Sequence, residues 1–284
     1  MTMSELVYGL LFTSLLAVIL AGFVCSTAGV YVVRMNLTAL GFTMSHAAFA
    51  GAAFAIWQGF NPTLGALLFA IATALVLGPV AEKARLKADV MLGFLFSLLM
   101  ALGFLFLSFA PGTAASGAAL SIIWGSIFTV STADALALAV LATIVVLFTV
   151  GFHKEIMATL FNRKLAEATG VHTRAIYYSV LFLTGLAVAF SLELVGGLLV
   201  FALIINPAST AYQFSNDMKQ IIWMSPVIGI LTSVAGFAIS WVTDLPTGST
   251  IIIVSATTLA VAIAISPKRR RSGLKGTIPQ VAVP

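Results

Sequence analysis

Apolar runs of about 20 residues, separated by short polar or charged breaks, recur from one end of this chain to the other, and about 20 residues is the length a helix needs to cross a hydrocarbon core. They predict spans near 6–26, 44–60, 63–81, 90–110, 133–152, 175–191, 194–212, 221–242 and 248–266, about nine crossings. The stretch 113–132 has room for a short re-entrant helix. The expected fold class is an all-α integral membrane protein, with 1–266 as the membrane domain.

Two of the breaks are strongly charged. Residues 82–89 form the first, and the second runs from His153 to Arg174. In the second, Ile156, Leu160 and Lys164 fall on one helical face and Met157, Phe161 and Leu165 on the adjoining one. That spacing predicts an amphipathic helix stopped at Gly170, lying on the membrane, docked in a partner's groove or resting on its own helices. Residues 267–284, with Lys268 to Arg271 and scattered glycine and proline, cannot build a core and read as a basic, disordered cytoplasmic tail.

Composition agrees with the pattern: 61% of the 284 residues are hydrophobic, 8% are charged, and mean hydropathy is +1.12. That balance excludes an ordinary soluble domain. The net charge of +5 would suggest nucleic acid if it lay on a folded soluble face. Instead all 14 Lys and Arg fall in alternate breaks, from Arg34 through Lys83, Lys154, Arg163, Arg174 and Lys219 to the tail. Cytoplasmic loops collect Lys and Arg, so the amino terminus is expected outside and the carboxyl terminus inside, with no nucleic-acid partner. The opposite breaks carry Glu5, Asp134, Glu193 and Asp244, an acidic face that attracts cations.

The first basic residue is Arg34, so the first apolar run lacks a charged leader and is expected to be retained as a helix. Cys25 is the sole cysteine, which excludes an intrachain disulfide and a CxxC site; a small buried apolar role is expected. Asp134 follows Ser131 and Thr132 at a helix start, where any of the three can cap.

His46 is the principal candidate for chemistry. It lies in Gly41-Phe-Thr-Met-Ser-His46-Ala-Ala-Phe-Ala-Gly51, inside an apolar run where an ionisable group is expensive. Neutral imidazole is a nitrogen ligand for transition metals, and the alternative is a histidine that caps or bonds a neighbouring helix. Ala47, Gly51 and Ala55 form a small-residue ladder beside it, suited to close helix packing. Glu193 either attracts a cation at the outer end or is solvated among headgroups. Asn206 precedes Pro207, which cannot donate to the Leu203 carbonyl; a kink is expected, with Asn206 bonding another helix or touching an ion.

Three segments together resemble the permease subunit of zinc and manganese ATP-binding-cassette importers. They are Arg34–Gly41 running into Met44–Ala47 and Gly51, Asp89-Val-Met-Leu-Gly-Phe-Leu-Phe-Ser97 followed by Ala101–Gly103, and Leu194–Ala211 with its Val195-Gly-Gly197 and Asn206-Pro207. Trp124–Ile127 and Asp244–Gly248 add weaker echoes in the family's order. The resemblance implies a vitamin-importer-like (type II) architecture in a prokaryotic cytoplasmic membrane. Two permease chains would pair, two ATPase subunits would bind ATP beneath them, and an extracytoplasmic metal-binding protein would deliver the ion.

The resemblance makes His46 a lining residue of the ion path. In the family the residue four earlier is commonly aspartate, one helical turn away, and here it is Phe42. A nitrogen ligand without that oxygen leans towards zinc, with manganese next. The segment 153–174, through Leu160, Phe161, Arg163 and Lys164, is the expected contact with the ATPase. The sequence contains no GxxxxGK[ST] loop, so no ATP hydrolysis of that kind and no permanently bound cofactor is expected. It has no HExxH or GxSxG either, which sets it apart from membrane-embedded proteases. An ion-driven secondary carrier is the other open reading; its usual deep carboxylates lie here near span ends.

Overall fold

The computed structural model describes residues 3–84, 88–110 and 130–266, and among them there are helices and no strands. In chain order the helices are α1 (Met3–Arg34), α2 (Leu40–Gln58), α3 (Pro62–Ala84), α4 (Ala88–Phe109), α5 (Thr132–Gly151), α6 (His153–Phe161), α7 (Arg163–Ala168), α8 (Thr173–Val195), α9 (Gly197–Phe214), α10 (Met218–Thr243) and α11 (Thr247–Ile265). Eight are long and apolar enough to cross a membrane, and α9, apolar over Leu199–Phe214, is a shorter ninth. The nine predicted spans therefore each find a helix. The re-entrant segment expected at 113–132 lies outside the described residues except for 130–132, as do the tail 267–284 and positions 85–87 of the first charged loop.

Helix α1 is longer than the pattern suggested. Its apolar positions continue past residue 26 through the buried Val30, Tyr31 and Val32, and 32 residues at 1.5 Å each give roughly 48 Å. Asn36, at φ 55°, turns the chain into α2, a conformation asparagine adopts more readily than most residues. Helix α2 is enclosed by α3, α4, α8 and α9 and is buried on most of its surface. It is the central strut of one half of the bundle. Helices α1, α10 and α11, with α9 between them and α2, make the other half.

The predicted small-residue ladder does pack. A Cβ on Gly51 would lie 2.1 Å from the Gly65 carbonyl oxygen, and one on Gly65 would lie 2.3 Å from the Gly51 oxygen. Only glycine on both helices permits that approach of α2 to α3. Towards the Gln58 end, Trp57 stacks on Phe106 at 5.8 Å and Phe54 meets the same ring edge to face at 5.2 Å, with Phe60 and Phe109 nearby. Exposed aromatic rings at a helix end are what an interfacial belt requires.

The described Lys and Arg gather at one end. Arg34, Lys83, Lys154, Arg163, Lys164, Arg174 and Lys219 all sit where α1 and α3 finish, in α6 and α7, or where α8 and α10 begin. Asp134 and Asp244 lie at the other end, where α5 begins and α10 finishes. Asp134 completes a capping box: the Ser131 side chain accepts from the Asp134 amide, and the Asp134 carboxylate accepts from the Ser131 amide at 3.0 Å. That settles the cap left open among Ser131, Thr132 and Asp134. Cys25 is buried and free, with its thiol 3.6 Å from Ser191 Oγ.

Candidate functional site

His46 lies in the second turn of α2, roughly 9 Å from the Leu40 end and 18 Å from the Gln58 end at 1.5 Å per residue. Its polar neighbours are satisfied within the helix or beside it. Ser45 Oγ donates to the Gly41 carbonyl at 2.9 Å, and Thr43 Oγ1 lies 2.9 Å from the Ala39 carbonyl and 3.1 Å from the Leu92 carbonyl of α4. His46 does the same with one nitrogen: Nδ1 is 2.9 Å from the Phe42 carbonyl oxygen. A carbonyl can only accept, so Nδ1 carries the proton and Nε2 of the neutral ring keeps its lone pair. A backbone bond at one nitrogen that leaves the other bare is the arrangement that prepares imidazole for a metal.

The rest of the imidazole is surrounded by phenyl rings. Phe42 meets it at 4.6 Å between centroids and 62°, and Phe96 of α4 meets it at 4.6 Å and 86°, both edge to face. Phe42 also stacks on Phe96 at 4.7 Å and leans on Phe201 of α9 at 5.2 Å. Such pairs contribute about 0.5–1.5 kcal/mol each beyond their buried area, so the cluster fixes three helices around the histidine. All four residues are half-buried.

Among the described residues no group of three or more His, Cys, Asp or Glu side chains could hold a metal ion. His46 is therefore not part of such a group among the described residues. The Phe42 ring fills the space one turn below it with hydrocarbon.

Asn206 has a partner on another helix. Asn206 Nδ2 donates to Ser255 Oγ of α11 at 3.0 Å, a cross-helix bond. Pro207 stays inside α9, and Thr210 Oγ1 donates to the Asn206 carbonyl at 2.7 Å. Glu193 is in the last turn of α8; its side chain lies outside the described ones. Just beyond it Gly196 has φ 88° and ψ 149°, a region open essentially to glycine, which lets α8 end and α9 begin without a loop. This break sets the start of α9 against Ser45, where a Cβ on Gly197 would lie 3.5 Å from Ser45 Cβ.

The charged loop departs from expectation. The single amphipathic helix breaks at Asn162, which is extended (φ −157°, ψ 106°) and caps α7 by accepting from the Leu165 amide at 3.2 Å. Across that break the expected faces 160–164 and 161–165 do not form. Leu160 turns inward at 9% exposure, onto Ile156, Ile176 and Val180, while Phe161 is 78% exposed and Lys164 and Leu165 are exposed too. Gly170 follows the end of α7 at φ 88°, as a helix stop.

Arg163 is bound within the chain. Its Nε lies 3.4 Å from Glu167 Oε1 and 3.4 Å from Thr173 Oγ1, and its guanidinium is 5.4 Å over the Tyr177 ring. Thr173 Oγ1 donates a short bond to Glu167, and this bond, followed by Arg163, holds the Glu167 carboxyl below the usual carboxylate range. These contacts staple α7 to the start of α8. Of the four residues expected at a partner contact, Phe161 and Lys164 are presented outward, and Leu160 and Arg163 are engaged internally. His172 is exposed and His153 half-buried in the same loop.

Residues 7–266 match the model of the ABC 3 transport family. The chain belongs to that family. It is a transport permease subunit and not an enzyme, as the sequence resemblance implied. It is 30% identical over 262 residues to "Manganese transport system membrane protein MntC" of Listeria innocua serovar 6a, covering 92% of each chain. It is 28% identical to "Manganese import system permease protein ScaB" of Streptococcus gordonii over 90% of this permease and 91% of that one. Its fold superposes on a chain of "PsaBC from Streptococcus pneumoniae in complex with Fab" with a TM-score of 0.82 and 26% identity, covering 96% of this chain and all of that one.

The three sequence segments that carried the resemblance supply His46 with Phe42, Phe96 and Phe201 respectively, on α2, α4 and α9. Sequence reasoning named His46 and Phe42 but missed Phe96 and Phe201. Both lie within the quoted segments, yet a phenylalanine in an apolar run carries nothing to mark it as a neighbour of a histidine.

Proposed function

We propose that this permease carries a divalent transition-metal ion into the cell, with His46 as a station on the path. The observation behind the reading is the meeting of three separated motif segments around one imidazole whose Nε2 is bare. The names of the relatives, which are manganese transport and import proteins, support the metal class. Two permease chains would face each other to complete the site, since among the described residues His46 has no group of His, Cys, Asp or Glu around it that could hold a metal ion. Two ATPase subunits would supply the energy, and an extracytoplasmic binding protein would deliver the ion.

Orientation follows from charge. The end that gathers the described Lys and Arg is the cytoplasmic one, so the amino terminus lies outside and the carboxyl terminus inside a prokaryotic cytoplasmic membrane. That places Phe161 and Lys164 where an ATPase subunit docks. The acidic opposite end, with Asp134, Asp244 and the Glu193 position, favours arrival of a cation. Alternating access would follow when ATP closes the ATPase pair and the α6–α7 segment passes the motion to α8 through the Arg163–Glu167–Thr173 staple.

Zinc is the better fit to imidazole without a carboxylate, and manganese, a harder ion, is the second reading on the strength of the relatives. Competition uptake in vesicles holding permease, ATPase and binding protein tests both. Zinc entering on ATP addition, and suppressing manganese entry at equal concentration, is the expected result. Manganese uptake indifferent to zinc would reverse the preference, and uptake of neither would remove the function.

A further inference from the structure

On the reading that His46 is a station on an ion path, the rings around it take on a second role. Phe42 touches His46, Phe96 and Phe201 at once, with centroids 4.6, 4.7 and 5.2 Å away. Phe96 closes the triangle by meeting the imidazole itself at 4.6 Å. The cluster is half-buried, at the margin of the core, beside the first two turns of α2. The aromatic group at the Gln58 end, Phe54, Trp57 and Phe106, contains no ionisable member and has the character of an interfacial belt.

A phenyl ring gives a divalent ion no lone pair, so an ion reaching the imidazole through these rings sheds water that the rings do not replace. Apolar constrictions empty of water and stop ions without binding them. We infer that Phe42, Phe96 and Phe201 form a dewetted gate at His46, which seals the metal path in the resting permease and opens when α4 or α9 moves away from α2. Each of the three helices contributes a ring, so a shift of any one of them breaks the seal. Thr43 lies one turn from His46 on α2, and its bond to the Leu92 carbonyl at 3.1 Å holds α4 in the sealed position. Phe42 thus has a positive function in the place where the resemblance led one to expect a carboxylate. It trades a ligand for a barrier.

The test is zinc entry without ATP into vesicles that hold the permease–ATPase complex and a trapped zinc-sensitive dye. Phe96→Ala and Phe201→Ala, on different helices, should each raise ATP-independent entry about tenfold over the unaltered complex, the effect of lowering a barrier by one decade. Phe106→Ala, in the belt, should not. Phe96→Val and Phe201→Val, which remove the ring but keep apolar bulk for folding, should leak in the same way. ATP hydrolysis on the same vesicles reports assembly.

Assembled Phe96 and Phe201 variants as tight as the unaltered complex would overturn the gate, and so would a Phe106→Ala leak equal to theirs. An unaltered complex that never accumulates zinc or manganese on ATP addition would instead overturn the importer reading. The two failures are told apart by which vesicles show them.

Discussion

Phe42 and His46 are joined twice: the Phe42 carbonyl accepts from imidazole Nδ1 at 2.9 Å, and the Phe42 ring meets the imidazole edge to face at 4.6 Å. The backbone bond sets the tautomer and the ring contact sets the surroundings. One residue therefore sets the tautomer that leaves Nε2 its lone pair and puts a phenyl ring where a carboxylate was expected. Phe42→Asp should keep the backbone bond while adding a carboxylate one turn from the imidazole. In competition uptake the variant is expected to shift towards manganese, and an unchanged ion preference would show that Phe42 does not set selectivity.

Asn206→Ala should cost about 0.5–1.5 kcal/mol, the worth of one cross-helix hydrogen bond to Ser255, and leave uptake per assembled complex in place. Thermal unfolding of the solubilised permease beside vesicle uptake distinguishes the roles. Lost uptake at unchanged stability would put Asn206 on the ion path.

Gly51→Val forces a side chain against the Gly65 carbonyl, 2.1 Å from where its Cβ would be. Overpacking of this kind typically costs about 1–3 kcal/mol, and a backbone atom in the way puts this case at or above the upper end. A lower unfolding temperature and poor assembly are expected. Normal stability would mean that α2 and α3 are free to move apart.

Thr173→Val removes the hydroxyl that bonds Glu167 and receives Arg163. Faster amide exchange in α7 and the start of α8 is expected, with ATP hydrolysis less dependent on delivered metal. The same staple has a pH dependence. Glu167 is held below its ordinary value of 4.5, so its contribution is present above pH 4.5 and is lost as pH falls through the depressed value. Protection of the α7 amides, corrected for the intrinsic pH dependence of exchange, should stay constant from pH 7 to 5 and fall only in stronger acid; a loss of protection between pH 7 and 5 would contradict the assignment.

Phe161→Ala with Lys164→Glu should weaken co-purification of the ATPase subunit while leaving the fold intact, because both side chains are exposed. Leu160→Ala should act through stability instead, as a truncated buried leucine. Equal loss of ATPase binding in both, at equal stability, would reject the distinction between an outward and an inward face of this segment.

The spans were legible because twenty apolar residues between polar breaks have few other uses, and charge placement was legible because Lys and Arg avoid hydrocarbon. The break at Asn162 was not. Apolar periodicity runs straight across it, and only the side-chain cap on Leu165 interrupts the helix there. His46 stood out as a lone imidazole in an apolar run, and Phe42 stood out because the resemblance led one to expect a carboxylate. Phe96 and Phe201 did not, since their role comes from tertiary approach of α4 and α9 to α2.

The measurement that bears most directly on the account is ATP-driven zinc and manganese uptake by the complete complex carrying His46→Ala. The alanine keeps α2 helical and removes the one metal-ligating nitrogen at the cluster. Uptake of both ions is expected to fall to the level of vesicles without ATP, while assembly and basal ATP hydrolysis persist. Uptake at the unaltered rate would contradict the claim that the ion passes by this histidine.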